Sequence, residues 1–167
     1  MKKYIFLFGI LFNLVFVTAN AQDKIEKDQL AETVKQSKMD VLMNSKNFEF
    51  IANTMFPLGQ PPKNLVGSNY SITFSPEMIV SNMPFYGRSF SNMALGRDKG
   101  MRFKGKPEIF TVGKENNGYV VEAKVENEND IYTLFLKISE SGFATLSIKT
   151  NDRQTTAYEG EVVSIQE

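Results

Sequence analysis

The sequence predicts a mainly β (α+β) domain, an antiparallel meander of about eight strands that forms a curved sheet or small barrel with one N-terminal helix packed on it. Three observations predict this class. From residue 48 onward, apolar residues recur with a period of two, which is typical of half-buried strands. Short turn motifs, of which Asn116-Asn117-Gly118 is the clearest, separate these runs and favour hairpins. A helical period occurs only before them, at about residues 26–45.

The beginning of the chain has the three-part order of a secretory signal peptide. Lys2 and Lys3 precede an apolar run over residues 4–17, and the small residues Ala19 and Ala21 follow it. The run is shorter than the roughly 20 residues that span a bilayer. This favours a cleaved signal over a permanent membrane anchor, and we expect cleavage after Ala21.

Removal of residues 1–21 leaves residues 22–167, which are expected to form a single soluble β-rich domain in the periplasm or outside the cell. That length suits one hydrophobic core, and no second apolar run is long enough to span a membrane. The sequence contains no cysteine, which excludes disulfides and a lipoprotein anchor at the cleavage site. Without the two signal lysines the chain is slightly acidic, so charge gives no reason to expect a nucleic-acid partner.

The predicted helix covers about residues 26–45. Leu30, Val34 and Val41 fall on one narrow apolar stripe at helical spacing, and the opposite side is polar. We expect this stripe to pack on the sheet.

Each strand is predicted from alternating apolar residues bounded by turn residues. In chain order the eight expected strands are 48–53, 70–74, 78–82, 109–113, 119–125, 131–138, 143–149 and 156–165. Residues 101–103 are a candidate for a further short strand. The proline-rich stretch 57–62 ends the first strand, because proline cannot donate to a ladder. The strand 131–138 has apolar residues on both faces, so both faces are expected to be covered. An open sheet with the helix on one face and a closed barrel satisfy this pattern equally well.

The absence of two residue types limits the chemistry that the protein can perform. The sequence contains no histidine and no cysteine, which excludes Ser-His-Asp triads, cysteine nucleophiles and the usual zinc sites. The acidic string 126–130 lacks the glycine and the closing glutamate of a calcium loop, and is expected to be a hairpin turn. Glu159 and Glu161 have a spacing that suits a carboxylate pair, but charges of this kind on a strand are more often solvated. We predict a non-enzymatic protein with no cofactor and no bound metal.

The most unusual stretch of the sequence lies between residues 84 and 90, where three aromatic residues and an arginine occur together. The candidate ligand- or partner-binding residues in and after this loop are Pro84, Phe85, Tyr86, Gly87, Arg88, Phe90, Arg102 and Phe103. As a recognition loop, it would offer aromatic contact area and the forked donor of Arg88 for a carboxylate or phosphate. As a structural turn, it would plug one end of the core with Phe85 and Phe90. Gly87 would then supply an unusual backbone angle, and Arg88 would pair with an acid.

The same stretch resembles a known family. The segment Pro84–Phe90, followed by Gly100–Phe103, is similar to the core motif of domain-of-unknown-function family 4251, small exported proteins of Bacteroidetes-type bacteria. The resemblance extends from about residue 30 to 165 and includes the segments 50–52, 57–59, 141–142 and 158–160. It implies export and a single β-rich domain. It implies no activity, substrate or catalytic residue.

Three functions are compatible with these features. The first is a periplasmic binding module for a small apolar or anionic ligand, which predicts a cavity lined by phenylalanine and methionine. The second is a protein-interaction or inhibitor-like accessory domain of the cell envelope, which predicts an exposed aromatic patch and no cavity. The third and least favoured is a carboxylate-based hydrolase, which predicts polar groups with shifted pKa values in a cleft. The expected partner is therefore an unknown small ligand or an envelope protein.

Overall fold

The computed structural model describes residues 38–90, 100–127 and 130–165, and these contain one helical segment and ten strands. The helical segment, α1, covers 38–45. The strands are β1 (Phe48–Phe56), β2 (Lys63–Asn64), β3 (Ser71–Phe74), β4 (Ile79–Met83), β5 (Met101–Gly105), β6 (Pro107–Glu115), β7 (Gly118–Asn127), β8 (Asp130–Ser139), β9 (Phe143–Lys149) and β10 (Thr156–Val163). The predicted mainly β fold with an N-terminal helix is confirmed.

All strand pairs are antiparallel, and the sheet is nearly closed into a barrel. The strand order is β5-β4-β3-β1-β10-β9-β8-β7-β6, with the short β2 paired beside β1. The two terminal strands of this path, β5 and β6, are separated in the chain by Lys106 alone. One nearly continuous extended segment therefore pairs with β4 through its first part and with β7 through its second part. Because one segment supplies both ends of the sheet, the sheet has to curl.

The interior of the barrel is filled by large side chains from alternate strand positions, as the period of two predicts. The strand β8, for example, alternates between buried and more exposed positions from Tyr132 to Ile138. Aromatic rings stack inside the barrel: Phe48 on Phe74 with centroids 5.0 Å apart, and Phe103 on Tyr132 at 4.0 Å. The fully buried strand side chains include Phe48, Phe50, Phe74, Met55, Met83, Met101, Ile72, Ile79, Leu134, Leu136 and Tyr158.

The outer face of β8 differs from the expectation that both faces are covered. Phe135 remains 40% exposed, and its ring lies 5.7 Å from the Nζ atom of Lys137. The prediction was wrong because a barrel needs to bury only its inner face. A single exposed aromatic residue on the outer face is common in soluble proteins.

The helix packs on the barrel through a different face from the one predicted. Met39 and Met43 are buried in the core and Leu42 packs against it, whereas Val41 is 69% exposed. Val41 was therefore assigned wrongly, and the remainder of the predicted helix, 26–37, lies outside the described residues. Within the part of the chain that the structure describes, no helix combines the length and apolar character needed to cross a membrane.

A polar cluster joins α1 to the β6–β7 hairpin. Asp40 accepts a hydrogen bond from Lys114 Nζ at 2.7 Å and another from the hydroxyl of Tyr119 at 2.5 Å. The bonds from Lys114 and then Tyr119 hold the pKa of the Asp40 carboxyl below its usual value. Burial and then the bond to Asp40 raise the pKa of Tyr119. The lowered pKa of Asp40 and the raised pKa of Tyr119 agree with an ionised carboxylate that accepts hydrogen bonds from two donors.

Replacing Asp40 with asparagine is expected to make the free energy of unfolding depend less on pH in the acid range. A carboxyl whose folded pKa is depressed adds stability that is present above its unfolded pKa and is lost as the pH falls through the folded value. Urea midpoints measured at neutral pH and in acid should therefore differ less for Asp40→Asn than for the unmodified protein. At neutral pH the variant should have the lower midpoint, and an unchanged midpoint would show that the cluster does not hold the helix.

Candidate functional site

Residues 84–90 leave β4 and cross to the turn between β9 and β10. The first of these residues, Pro84, is held by a buried hydrogen bond. The hydroxyl of the fully buried Tyr158 on β10 donates to the carbonyl oxygen of Pro84 at 2.6 Å. Met101 Sδ lies 3.8 Å from the same hydroxyl. Burial raises the pKa of Tyr158 far above its usual range, so the hydroxyl keeps the proton that it donates. We call residues 84–90 the anchored segment.

The far end of the anchored segment is bonded to the β9–β10 turn through the backbone. The amide of Phe90 donates to the carbonyl of Asp152 at 2.7 Å, and the amide of Gln154 donates to the carbonyl of Arg88 at 3.0 Å. Ser89 adds a side-chain bond, from Oγ to Asp152 Oδ2 at 2.8 Å. This pairing has the geometry of an isolated antiparallel bridge.

The turn that receives the segment is itself braced. Its backbone amides are bonded by side chains: Arg153 N donates to Thr150 Oγ1 at 2.8 Å, and Asn151 N donates to Asp130 Oδ1 at 2.9 Å. Asp130 belongs to the acidic string that was predicted to form a hairpin turn, and β7 and β8 confirm that hairpin by pairing Asn127 with Asp130. The anchored segment is thus held against a turn with fixed geometry.

The side chain of Arg153 links three parts of this region. Its Nη1 donates to the carbonyl of Gly100, immediately before β5. Its guanidinium carbon lies 5.3 Å from the ring centroid of Phe85, a cation–π distance. Arg153 therefore connects the β9–β10 turn, the anchored segment and the start of β5.

The three aromatic residues of the anchored segment have different environments. Phe85 is half-buried and packs against the core. Tyr86 is 45% exposed, with Lys63 Nζ 4.6 Å from its ring centroid, and Phe90 is 71% exposed. The structural interpretation of the loop is therefore right for Phe85 and wrong for Phe90, which does not plug the core.

Gly87 is needed for space and not for a special backbone angle. Its φ lies outside the positive region, which corrects the role expected from the sequence. A Cβ at Gly87 would lie 2.7 Å from Cζ of the Phe85 ring, so a larger residue would displace that ring. The side chain of Arg88 is exposed and takes no part in the ion pairs that the structure gives for the described residues, in contrast to the pairing that a structural turn predicts.

The remaining candidate residues lie apart from this exposed surface. Pro84 and Phe103 are buried, and the ring of Phe103 stacks on Tyr132. Arg102 is on the outside of β5, where Nε donates to Asn82 Oδ1 at 3.0 Å. The candidate residues that reach solvent on the anchored segment are Tyr86, Gly87, Arg88 and Phe90.

Several residues that build this region were not predicted as part of it. These residues are Lys63 of β2 and Asp152 and Gln154 of the β9–β10 turn. All three are far from residues 84–90 in the sequence, and no local pattern indicates that they meet them. Tyr158 did carry a signal. It occupies an inward position of a predicted strand, and a buried tyrosine hydroxyl usually has a hydrogen-bond partner.

A comparison with solved structures agrees with this architecture. A crystal structure of a DUF4251 family protein from Bacteroides eggerthii superposes with a TM-score of 0.60, covering 81% of this chain and 91% of that chain. The two sequences are 12% identical, so the similarity shows a shared fold. No curated protein matches the sequence.

The family itself is shown by sequence. The family model described as "Domain of unknown function (DUF4251)" matches residues 30–162, which is most of the chain and includes the anchored segment. The resemblance predicted from residues 84–103 is thereby confirmed, and this chain belongs to the DUF4251 family.

Proposed function

We propose that this protein is an exported, non-catalytic recognition domain that binds a protein partner through Tyr86 and Phe90 of the anchored segment. The observation that carries the proposal is the combination of exposed aromatic rings with a fixed backbone. Aromatic side chains are enriched at protein interfaces. A backbone that is ordered before binding loses little entropy when the partner arrives.

The packed interior favours a protein partner over a small apolar ligand. Phenylalanine and methionine side chains that would line an internal cavity have no exposure at all, so they border no space that admits a water molecule. They are Phe48, Phe50, Phe74, Met55, Met83 and Met101. Small-molecule sites usually enclose most of their ligand, and these residues enclose none.

Export is part of the proposal and is supported by the beginning of the chain. Residues 1–21 have the charged, apolar and small-residue order of a cleaved signal. The partner would then be a protein of the periplasm, the cell surface or the exterior. A non-catalytic role is supported by the lack of histidine and cysteine in the sequence.

Replacing Tyr86 and Phe90 together with serine is expected to abolish partner binding without unfolding the protein. Both side chains are exposed, so the free energy of unfolding should change by no more than about 0.5 kcal/mol. Loss of two aromatic contacts at the centre of an interface should reduce recovery of the partner by about 30-fold or more. The measurement is quantitative mass spectrometry of proteins captured from the envelope of the protein's own cells, alongside urea unfolding.

A matched variant, Phe85→Ala, separates packing from recognition on the same segment. Phe85 is half-buried against the core, and its truncation should cost about 2 kcal/mol of stability. If the double serine variant loses comparable stability, the rings are structural and the proposal fails. It also fails if the captured proteins are the same with and without the two rings.

A further inference from the structure

An open groove lies at the opposite end of the barrel from the anchored segment. It has a volume of about 590 Å³ and lies between the β6–β7 turn and the β8–β9 hairpin. The strand β9 (Phe143–Lys149) runs from this groove to the β9–β10 turn. At the usual rise per residue, the length of this strand separates the groove from the anchored segment by about 20 Å. The groove is therefore distinct from the proposed partner site.

The walls of the groove are fixed by the fold. A Cβ at Gly118 would overlap the carbonyl oxygen of Ile138. The distance between β7 and β8 at this point therefore requires glycine. On the other side, Ser139 Oγ donates to the carbonyl of Phe143 at 3.0 Å and lies 2.8 Å from Ser141 Oγ. These bonds brace the tight turn that carries Phe143, so the groove needs little reorganisation to receive a ligand.

The lining combines one exposed ring with polar groups whose charges cancel. Phe143 is 52% exposed, and it is the exposed apolar side chain among the lining residues. Asn117 and Thr145 add an amide and a hydroxyl, each able to donate and to accept hydrogen bonds. Lys137 and Glu115 bring one charge of each sign, so the lining has no net charge.

We propose that this groove binds a stretch of an uncharged saccharide chain. A pyranose ring offers C–H faces that stack on an aromatic ring and hydroxyls that pair with amide, ammonium and hydroxyl groups. Phe143 supplies the stacking surface, and Asn117 and Lys137 reach the hydroxyls. The groove is open to solvent, so neighbouring units of a longer chain can lie outside it.

Other occupants fit the groove less well. A single exposed apolar residue is too little for a stable protein interface, which buries about 800 Å² on each partner. An apolar ligand would leave the amide and charged groups without partners. The balanced charges of Lys137 and Glu115 give no preference for an anion.

The test is a titration of the isotope-labelled protein with tetrasaccharides of glucose, mannose, galactose and N-acetylglucosamine, followed by backbone amide shifts. A tetrasaccharide of a uronic acid is the charged comparator. At least one uncharged probe should bind with a Kd below about 1 mM and shift the amides of Asn117, Lys137 and Phe143. Phe143→Leu, which keeps an apolar side chain but loses the flat ring, should weaken binding by about tenfold or more.

Two further variants make the test specific. Phe56→Leu makes the same change at an exposed ring outside the lining, and should alter the Kd by less than about twofold. Lys137→Gln keeps a hydrogen-bond donor and should weaken binding by less than about fivefold. Binding of the uronic acid probe alone, lack of binding by all uncharged probes, or an unchanged Kd for Phe143→Leu would overturn the proposal. None of these results depends on whether Tyr86 and Phe90 bind a protein.

Discussion

Replacing Gly160 with alanine is expected to lower the free energy of unfolding by about 3 kcal/mol, the upper end for an overpacked site. Gly160 lies on β10 opposite Ala52 of β1, beside the irregularity in the register between Ala52 and Thr54. A Cβ there would overlap the carbonyl oxygen of Ile51 and lie 3.1 Å from the Cα of Ala52. Because these atoms are backbone, relief requires the two central strands to separate.

Gly113→Ala is the matched control for this prediction. Gly113 also lies in a strand, but the nearest atom to its added Cβ is 3.9 Å away, which is ordinary contact. The free energy of unfolding of Gly113→Ala should differ from that of the unmodified protein by no more than about 0.5 kcal/mol. Urea unfolding of both variants measures the difference. Equal effects at the two positions would show that the close approach of β1 and β10 is wrong.

Replacing Tyr158 with phenylalanine is expected to cost about 2 kcal/mol and to loosen the anchored segment. The substitution leaves the buried carbonyl of Pro84 without the donor that lies 2.6 Å from it, and a buried acceptor without its partner is costly. The amides of Phe90 and Gln154, which close the far end of the segment, should then exchange faster with solvent. Tyr86→Phe removes the same hydroxyl at an exposed position and should change stability by less than about 0.5 kcal/mol.

The same variant predicts a change in alkaline stability. Burial raises the folded pKa of Tyr158 above the unfolded value of about 10. The folded state then holds its proton more tightly, so this contribution is complete below pH 10 and is lost as the pH rises above it. The stability of Tyr158→Phe should fall less steeply above pH 10 than that of the unmodified protein. A parallel fall would mean that Tyr158 is not buried as described.

The strands could be predicted from the sequence because a period of two is a local signal. Inward residues such as Leu134 and Leu136 alternate with more exposed ones whatever the final shape of the sheet. The closure of the barrel is not local. It depends on one extended segment, 101–115, that pairs with β4 and then with β7, and the strand pattern fits an open sheet equally well.

The helix shows how a correct element can be assigned a wrong face. Val41 was placed on the apolar stripe because it matched the spacing of Leu30 and Val34. The buried face is formed by Met39 and Met43, whose flexible side chains fill the irregular space over the barrel. Within the described residues, the buried face of α1 is the one that carries these methionines. A pattern read from branched aliphatic residues alone does not identify that face.

The position of the candidate site could be predicted from the sequence, but the residues that hold its backbone in place could not. Three aromatic residues near an arginine are conspicuous in a short segment, whereas exposure depends on distant contacts. Phe85 and Phe90 look equivalent in the sequence, yet one packs on the core and the other reaches solvent. Backbone bonds to Asp152 and Gln154 hold the Phe90 end of the segment against the β9–β10 turn, and no local pattern predicts them.

The most direct test of the proposed function is site-specific photo-crosslinking in the protein's own cells. p-Benzoylphenylalanine is placed at Phe90 in one version of the full chain and at Val41 in another, because the two side chains have nearly equal exposures of 71% and 69%. A partner that binds the anchored segment should give a discrete protein adduct from position 90 and none from position 41. No adduct at position 90, or the same adducts at both positions, would contradict the proposal.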